Sequence, residues 1–239
     1  MDKKELINSG KVKSVFTTDN PDEVIIEFRD DMTAGDGERK EVMNNKGAYN
    51  AVISTKIFRV LEENGVETQL IDLPQPNVML AKKLEMIPIE VIVRNIAAGS
   101  FAKRYGVEEG CIFDEPVIEI SYKNDDLGDP LMNDYHAKAL KLVLPEELDM
   151  IKHYAFEINK LLKEFWEKCD IILVDFKLEF GRLPDGTIIL ADEISPDTSR
   201  LWDVDNNHVD KDVYRRDLGD LIPIYQRVLT DLQTEFEGK

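Results

Sequence analysis

Two β-rich runs, 171–180 and 187–194, flank Leu183-Pro184-Asp185-Gly186 and constrain this chain more than any other feature. Asp-Gly between two such runs is a strong signal for a tight turn, so the segment reads as one long β-hairpin. Side chains alternate along a strand with period two, so Asp175, Lys177 and Glu179 share one face. If the loop is even and centred on Asp185-Gly186, Glu179 lies opposite Asp192, Lys177 opposite Ile194 and Asp175 opposite Pro196. Two facing carboxylates repel and destabilise a hairpin. A divalent cation between them removes the repulsion, and magnesium takes one or two carboxylates plus phosphate oxygens. An Asp-x-Lys-x-Glu run alone is ordinarily an exposed strand face. The opposed Asp192 favours a metal site, and Lys177 beside it suits a transferring phosphoryl group.

The rest of the chain alternates between the two periodicities. Runs 12–18 and 23–30, split by Asp19-Asn20-Pro21-Asp22, predict a hairpin. Residues 31–37 read as a polar, Gly-containing loop. A helix is expected over 44–64, with Tyr49, Ile53, Ile57, Val60 and Leu61 on one face and Gly65 as its cap. Extended runs 67–73 and 78–94 follow, broken by Pro74, Pro76 and Pro88, and 123–133 reads as an Asp-rich loop. Pro145 opens a helix over 145–168 whose apolar face is Leu148, Ile151, Ala155, Ile158, Leu162 and Phe165. A last helix covers 212–235, with Leu218, Leu221, Tyr225, Val228 and Leu232 on one face; Pro223 should kink or restart it. Strands first and mixed elements later predict an α+β fold. Its expected parts are a small β-rich lobe, 1–85, and a larger lobe, 86–239, hinged near 84–88.

The 239 residues and 43% hydrophobic content suffice for a sizeable core. A net charge of −18 argues against nucleic-acid binding by bulk charge, so clustered basic residues are candidates for gripping a small anion. Cys111 and Cys169 make no disulfide framework and no zinc spacing. No apolar run approaches the length of a bilayer span. A cytoplasmic enzyme is expected. His136, His153 and His208 fit no triad, and Trp166 and Trp202 read as packing residues.

Leu173-Val174-Asp175-Phe176-Lys177-Leu178-Glu179-Phe180-Gly181 resembles one signature of the phosphoribosylaminoimidazole-succinocarboxamide synthase (SAICAR synthetase) family. The run from Ile87 through Arg94 to Ser100 is similar to the other. Asp192 through Asp203, Gly10-Lys11-Val12-Lys13, Asp36-Gly37 and the segment from Asp210 to Gly219 also fit, so the resemblance extends from end to end.

The resemblance implies a two-lobed fold with ATP between the lobes. It implies an ATP-dependent ligase of purine biosynthesis that joins L-aspartate to a carboxylated aminoimidazole ribonucleotide. Its cofactors would be ATP and Mg²⁺, and its partners small molecules only, with no nucleic acid and no membrane; a homodimer is the expected assembly. Glu179 and Asp192 would hold the metal, and Lys177 would stabilise developing negative charge. Asp175 would orient Lys177 or contact substrate, with a structural role equally open. Lys11 and Lys13 would cover the ATP phosphates, Lys123 would reach the nucleotide, and Leu80, Ala81, Lys82 and Leu84 would line the adenine pocket. Arg94, Ser100 and Arg200 would grip the 5′-phosphate, because the planar guanidinium bonds phosphate oxygens in pairs. Lys211, Arg215 and Asp36 are further substrate candidates, beside solvated-surface and turn readings. A small-molecule kinase built on the same metal site is the main alternative, and a non-catalytic nucleotide sensor a second.

Overall fold

The structure, a computed structural model, describes residues 2–34 and 39–236. Asp36 lies outside the described residues. The chain begins with β1 (Leu6–Ser9), β2 (Lys13–Thr17) and β3 (Glu23–Phe28). A ribbon of β4 (Asp31–Ala34) and β5 (Arg39–Val42) leads into α1 (Lys46–Glu63), followed by β6 (Leu70–Gln75) and β7 (Val78–Lys82). Then come β8 (Glu85–Met86), β9 (Ile89–Ile96), α2 (Gly99–Tyr105), β10 (Ile112–Tyr122), β11 (Leu131–Met132) and α3 (Asp134–Ala139). The long α4 (Pro145–Glu167) precedes β12 (Ile171–Arg182), β13 (Ile188–Ala191) and β14 (Ser199–Asp203). Two helices, α5 (Asp212–Arg215) and α6 (Leu221–Phe236), close the described chain.

The strands form a five-stranded sheet, β1-β2-β3-β7-β6, and a seven-stranded sheet with the main path β11-β10-β9-β12-β13, on which β14 and β8 also pair with β12. Strand pairing is antiparallel throughout both, as an α+β fold requires. The sheets are tied directly. Gln69 N–H donates to Leu190 O at 2.9 Å, and Leu190 N–H donates to Glu67 O at 3.1 Å. One apolar core runs under both, from Ile26, Phe28 and Met79 through Ile57 and Phe58 to Val91, Phe176 and Phe180.

Local sequence explains the helix positions. The Asp30 carboxylate accepts from the backbone N–H groups of Asn45 and Gly47, both at 3.0 Å, satisfying donors that the first turn of α1 leaves without partners. A side chain at Gly47 would put Cβ 2.6 Å from Phe28 O, so the absent Cβ is what lets α1 seat against β3. At α4, Pro145 opens the first turn and Glu147 accepts from Leu144 N–H at 2.8 Å. Every residue of its expected apolar face is buried.

Several expectations change. The 212–235 helix is two helices, with left-handed backbone at Asp217 (φ 54°) in the break. Pro223 restarts the second within its first turn, and Leu218 is exposed rather than on the packed face. The 31–37 loop carries β4, and the 78–94 run is three strands, because the bends between them stop the ladder. β1, α2, β10 and α3 were not expected. β1 is an exposed edge strand, α2 is only 7 residues long, and the first half of β10 is largely exposed, so none carries a strong apolar period.

Ile158 is fully buried on α4, whereas Met150 lies on its exposed side. Ile158→Ala should cost about 2–5 kcal/mol, and Met150→Ala less than about 0.5 kcal/mol. Urea unfolding of both variants checks the helix face.

Candidate active site

The expected hairpin exists, but its register differs. The loop is odd: Leu183 N–H donates to Thr187 O at 2.9 Å, and Gly186 takes the left-handed backbone (φ 89°). Glu179 therefore pairs with Ala191, not Asp192. Strand β13 ends there. The pairing of β12 resumes with Phe176 opposite Ser199, so three steps along β12 span eight along the returning chain. Asp192 through Thr198 form an excursion out of the ladder, which puts Asp175 opposite Arg200 instead of Pro196. Lys177 N–H meets Thr198 O at 2.9 Å rather than facing Ile194.

The excursion begins at Asp192 with φ 61°, which takes its side chain off the strand alternation. Its carboxylate reaches the Lys177 and Glu179 side of the sheet despite the slipped register. Lys177 Nζ lies 2.6 Å from Glu179 Oε1, 2.8 Å from Glu90 Oε1 and 3.9 Å from Asp192 Oδ2. Lys13 from β2 binds Asp192 directly and sits 3.3 Å from Glu193. Lys123, just beyond β10, binds the other oxygen of Glu179. Glu179 is 1% exposed.

These contacts set the charge states. Burial alone would raise the Asp192 carboxyl, but Lys13, Lys177 and Lys123 outweigh it and hold it well below the usual range. Burial alone would lower Lys177, but Glu179, Asp192 and Glu90 raise it. Lys13 is likewise raised, by Asp192 and Glu193 against burial. The pocket thus keeps the Asp192 carboxylate ionised beside the protonated Lys13 and Lys177. The buried Glu179 and the partly exposed Asp192, both near Lys177, offer the hard oxygen donors that Mg²⁺ takes. A tighter group of candidate ligands, His208, Asp210 and Asp212, lies elsewhere. Its atoms are already engaged: Asp210 accepts from Leu201 and Asp212 N–H, Asp212 binds Arg200 and Arg215, and His208 Nδ1 accepts from Trp202.

A second charge centre forms around Asp175. The sheet registers Arg94 on one side of it and Arg200 on the other. Arg94 donates to Asp175 at 2.7 Å and to Glu119 at 2.6 Å, with Ser100 Oγ at 3.5 Å. Arg200 donates to Asp175 at 2.9 Å and to Asp212 at 3.0 Å. Burial alone would lower Arg200, but Asp175 and Asp212 raise it. The two arginines do share an anion, and here it is a carboxylate of the chain itself. Asp175 contacts these arginines, a different neighbour from the Lys177 considered from the sequence. Gly99 is required beside them: it adopts φ 53°, and a Cβ would fall 2.5 Å from the Arg200 guanidinium.

The remaining candidates spread around these centres. Lys11 pairs with Asp125 at 3.0 Å on the surface. Leu80 and Ala81 are buried in β7, where Leu80 packs with Ile25 and Val78 on the sheet face turned from the main core. Lys82 N–H is bonded to Gln69 O at 2.7 Å, and Leu84 lies against Gly181. Lys211 is buried, not on a solvated face, and Arg215 bonds Asp212 at 2.7 Å. Sequence reasoning missed Glu90, Glu119, Asp197 and Lys46. Asp197 stood inside a quoted motif; Lys46 is a single lysine with no pattern around it. His136 and Asn133 form a capping box on α3. A cavity of about 520 Å³ between α2, β10 and α4 is lined by Tyr105, Glu119, His136, Lys152 and Phe156 and touches the site only through Glu119. No helix among the described residues is long and apolar enough to cross a membrane.

Known proteins resemble this chain over nearly its whole length. A phosphoribosylaminoimidazole-succinocarboxamide synthase of Methanobrevibacter smithii is 56% identical over 237 residues, covering 97% of this chain and 98% of that protein. The crystal structure of the synthase from Ehrlichia chaffeensis superposes with TM-score 0.94 at 42% identity, covering 96% of this chain and 98% of the other. A SAICAR synthetase solved in complex with ADP superposes with TM-score 0.93 at 46% identity, covering 97% and 98%. Residues 6–232 match the family described as SAICAR synthetase, and the chain belongs to that family.

Proposed function

We propose that this chain joins L-aspartate to the carboxylate of 5-amino-1-(5-phospho-D-ribosyl)imidazole-4-carboxylate, with ATP cleaved to ADP and phosphate, in de novo purine biosynthesis. The observation that carries the reading is the convergence of Glu179 and Asp192 on Lys177. It occurs in a chain whose relatives bear the synthase name, one of them solved with ADP.

The chemistry explains the residue types. A carboxylate is a poor acylating agent. Passing it through an acyl phosphate supplies a leaving group that the aspartate amine displaces. Phosphoryl transfer needs positioning and charge cancellation more than covalent help. Glu179 and Asp192 would hold Mg²⁺, which when bound neutralises phosphate charge. Lys177, kept protonated by its carboxylate neighbours, offsets the charge that develops on the transferred group. Lys13 and Lys123, which pair with the two carboxylates, would serve as cationic contacts for the nucleotide phosphates. Lys11, beside Lys13 at the start of β2, would add a further cation over the phosphates. The nucleotide lies between the 1–85 and 86–239 lobes, with Leu80, Ala81, Lys82 and Leu84 at the base. Arg200, Arg94 and Ser100 take the substrate 5′-phosphate, and Asp175 fixes the two guanidinium planes for it. Lys211 and Arg215 contact substrate further out.

ADP release should require L-aspartate. Turnover at an equal rate without it would favour the kinase reading. Glu179→Gln and Asp192→Asn should each lower turnover at least about 100-fold, with far-UV circular dichroism unchanged. Near-normal activity in either variant would sink the metal assignment.

A further inference from the structure

Around Asp197 lies a buried charge cluster in which the reaction above uses only Lys211. Lys46, the first residue of α1, is fully buried, with Nζ 2.6 Å from Asp197 Oδ2. Asp197 sits in the excursion between β13 and β14. Its other oxygen, Oδ1, accepts from the Tyr225 hydroxyl of α6 at 2.6 Å. Lys211 Nζ lies 3.6 Å from the same Oδ2 that Lys46 occupies. Opposite charges attract more strongly the closer they lie. Lys46 therefore holds the close contact, and Lys211 is left with a long one.

The surroundings sharpen this. Lys211 is 8% exposed, and its backbone N–H is fixed to Pro196 O at 3.0 Å. The charged and titratable groups around it are Asp197 and Glu193 of the excursion, Lys46 of α1, Arg215 of α5 and Tyr225 of α6. Burial first, then Lys46 and Arg215, push its ammonium below the ordinary lysine range, against Asp197 and Glu193. A buried cation crowded by other cations, with its nearest anion already bound, is held ready for an outside anion. Stability alone does not account for Lys46, because apolar replacements of buried ion pairs are often neutral or stabilising.

We propose that Lys46 and Asp197 are positioning residues for the ligase reaction: their short ion pair, backed by the Tyr225 hydroxyl, keeps the Lys211 ammonium off Asp197 and available to an anionic substrate group. The proposal rests on the reading of Lys211 as a substrate contact.

The test is kcat/KM for the imidazole nucleotide from neutral to alkaline pH, at saturating Mg-ATP and L-aspartate, in the full-length wild type and variants. Protonated Lys211 is the binding form, so kcat/KM falls as it loses its proton. Lys46→Met removes a repelling cation and frees an Asp197 oxygen, and both changes favour the charged form. The alkaline fall should move to higher pH. At neutral pH the ammonium shifts onto Asp197, and kcat/KM should drop roughly 10- to 100-fold, mostly through KM. Lys46→Arg should restore most of it. Tyr225→Phe frees the other oxygen without removing a charge, and should move the fall in the same direction by less; it serves if Lys46→Met does not fold. A purely structural role would lower the melting temperature and leave the alkaline fall in place. That result, with the fall abolished by Lys211→Met, would overturn the proposal. If Lys211→Met itself keeps wild-type kcat/KM and pH profile, the underlying reading of Lys211 fails and takes the proposal with it.

Discussion

Two acidic side chains that share one lysine, and are flanked by two more lysines from distant stretches of the chain, set the terms for the rest of this fold. Unit charges a few ångströms apart interact strongly once water is excluded. Glu179 and Asp192 tolerate each other because Lys13, Lys123 and Lys177 all reach them. Strand β12 makes this possible by separating its faces. Phe176, Leu178 and Phe180 point into the shared core, while Asp175, Lys177 and Glu179 alternate with them into the polar site. Packing on one side of the strand thus fixes the geometry of charge on the other.

The same device recurs twice more. Asp175 is shared by two arginines and Asp197 by two lysines and a tyrosine. In a chain of net charge −18, acidic side chains outnumber basic ones 48 to 30, and several of the basic ones are gathered around carboxylates in the site. Each such centre is neutral enough to be buried, yet each has a cation whose best partner is shared. An incoming phosphate or carboxylate therefore meets arranged donors instead of having to organise them.

Much of this was legible in the sequence. The α4 face was readable because its apolar period is long and its Pro145 start is unambiguous. The Asp175-Lys177-Glu179 face was readable because strand alternation is rigid. The partner of Glu179 was not, since register depends on loop parity, and Asp-Gly is compatible with an odd loop as well as an even one. The chain nevertheless delivers Asp192 to the site through a left-handed residue and an excursion of the returning strand, neither of which has a periodic signature. Lys46 was illegible for a different reason. Its role comes from where α1 docks, and no local pattern encodes a contact with Asp197 so far along the chain.

The contact between Lys13 and Asp192 joins residues 179 positions apart. Sequence-distant pairings form late, after the loops between them have closed. During synthesis, a ribosome-bound chain would have its first sheet and α1 exposed long before Asp192 emerged, and domains fold as their residues become available. The β2–β3 hairpin therefore waits, with Lys13 short of its Asp192 partner, for the segment that follows β13. A chain cut short before Asp192 would lack this contact, and Lys13 would be left without the carboxylates of the returning segment.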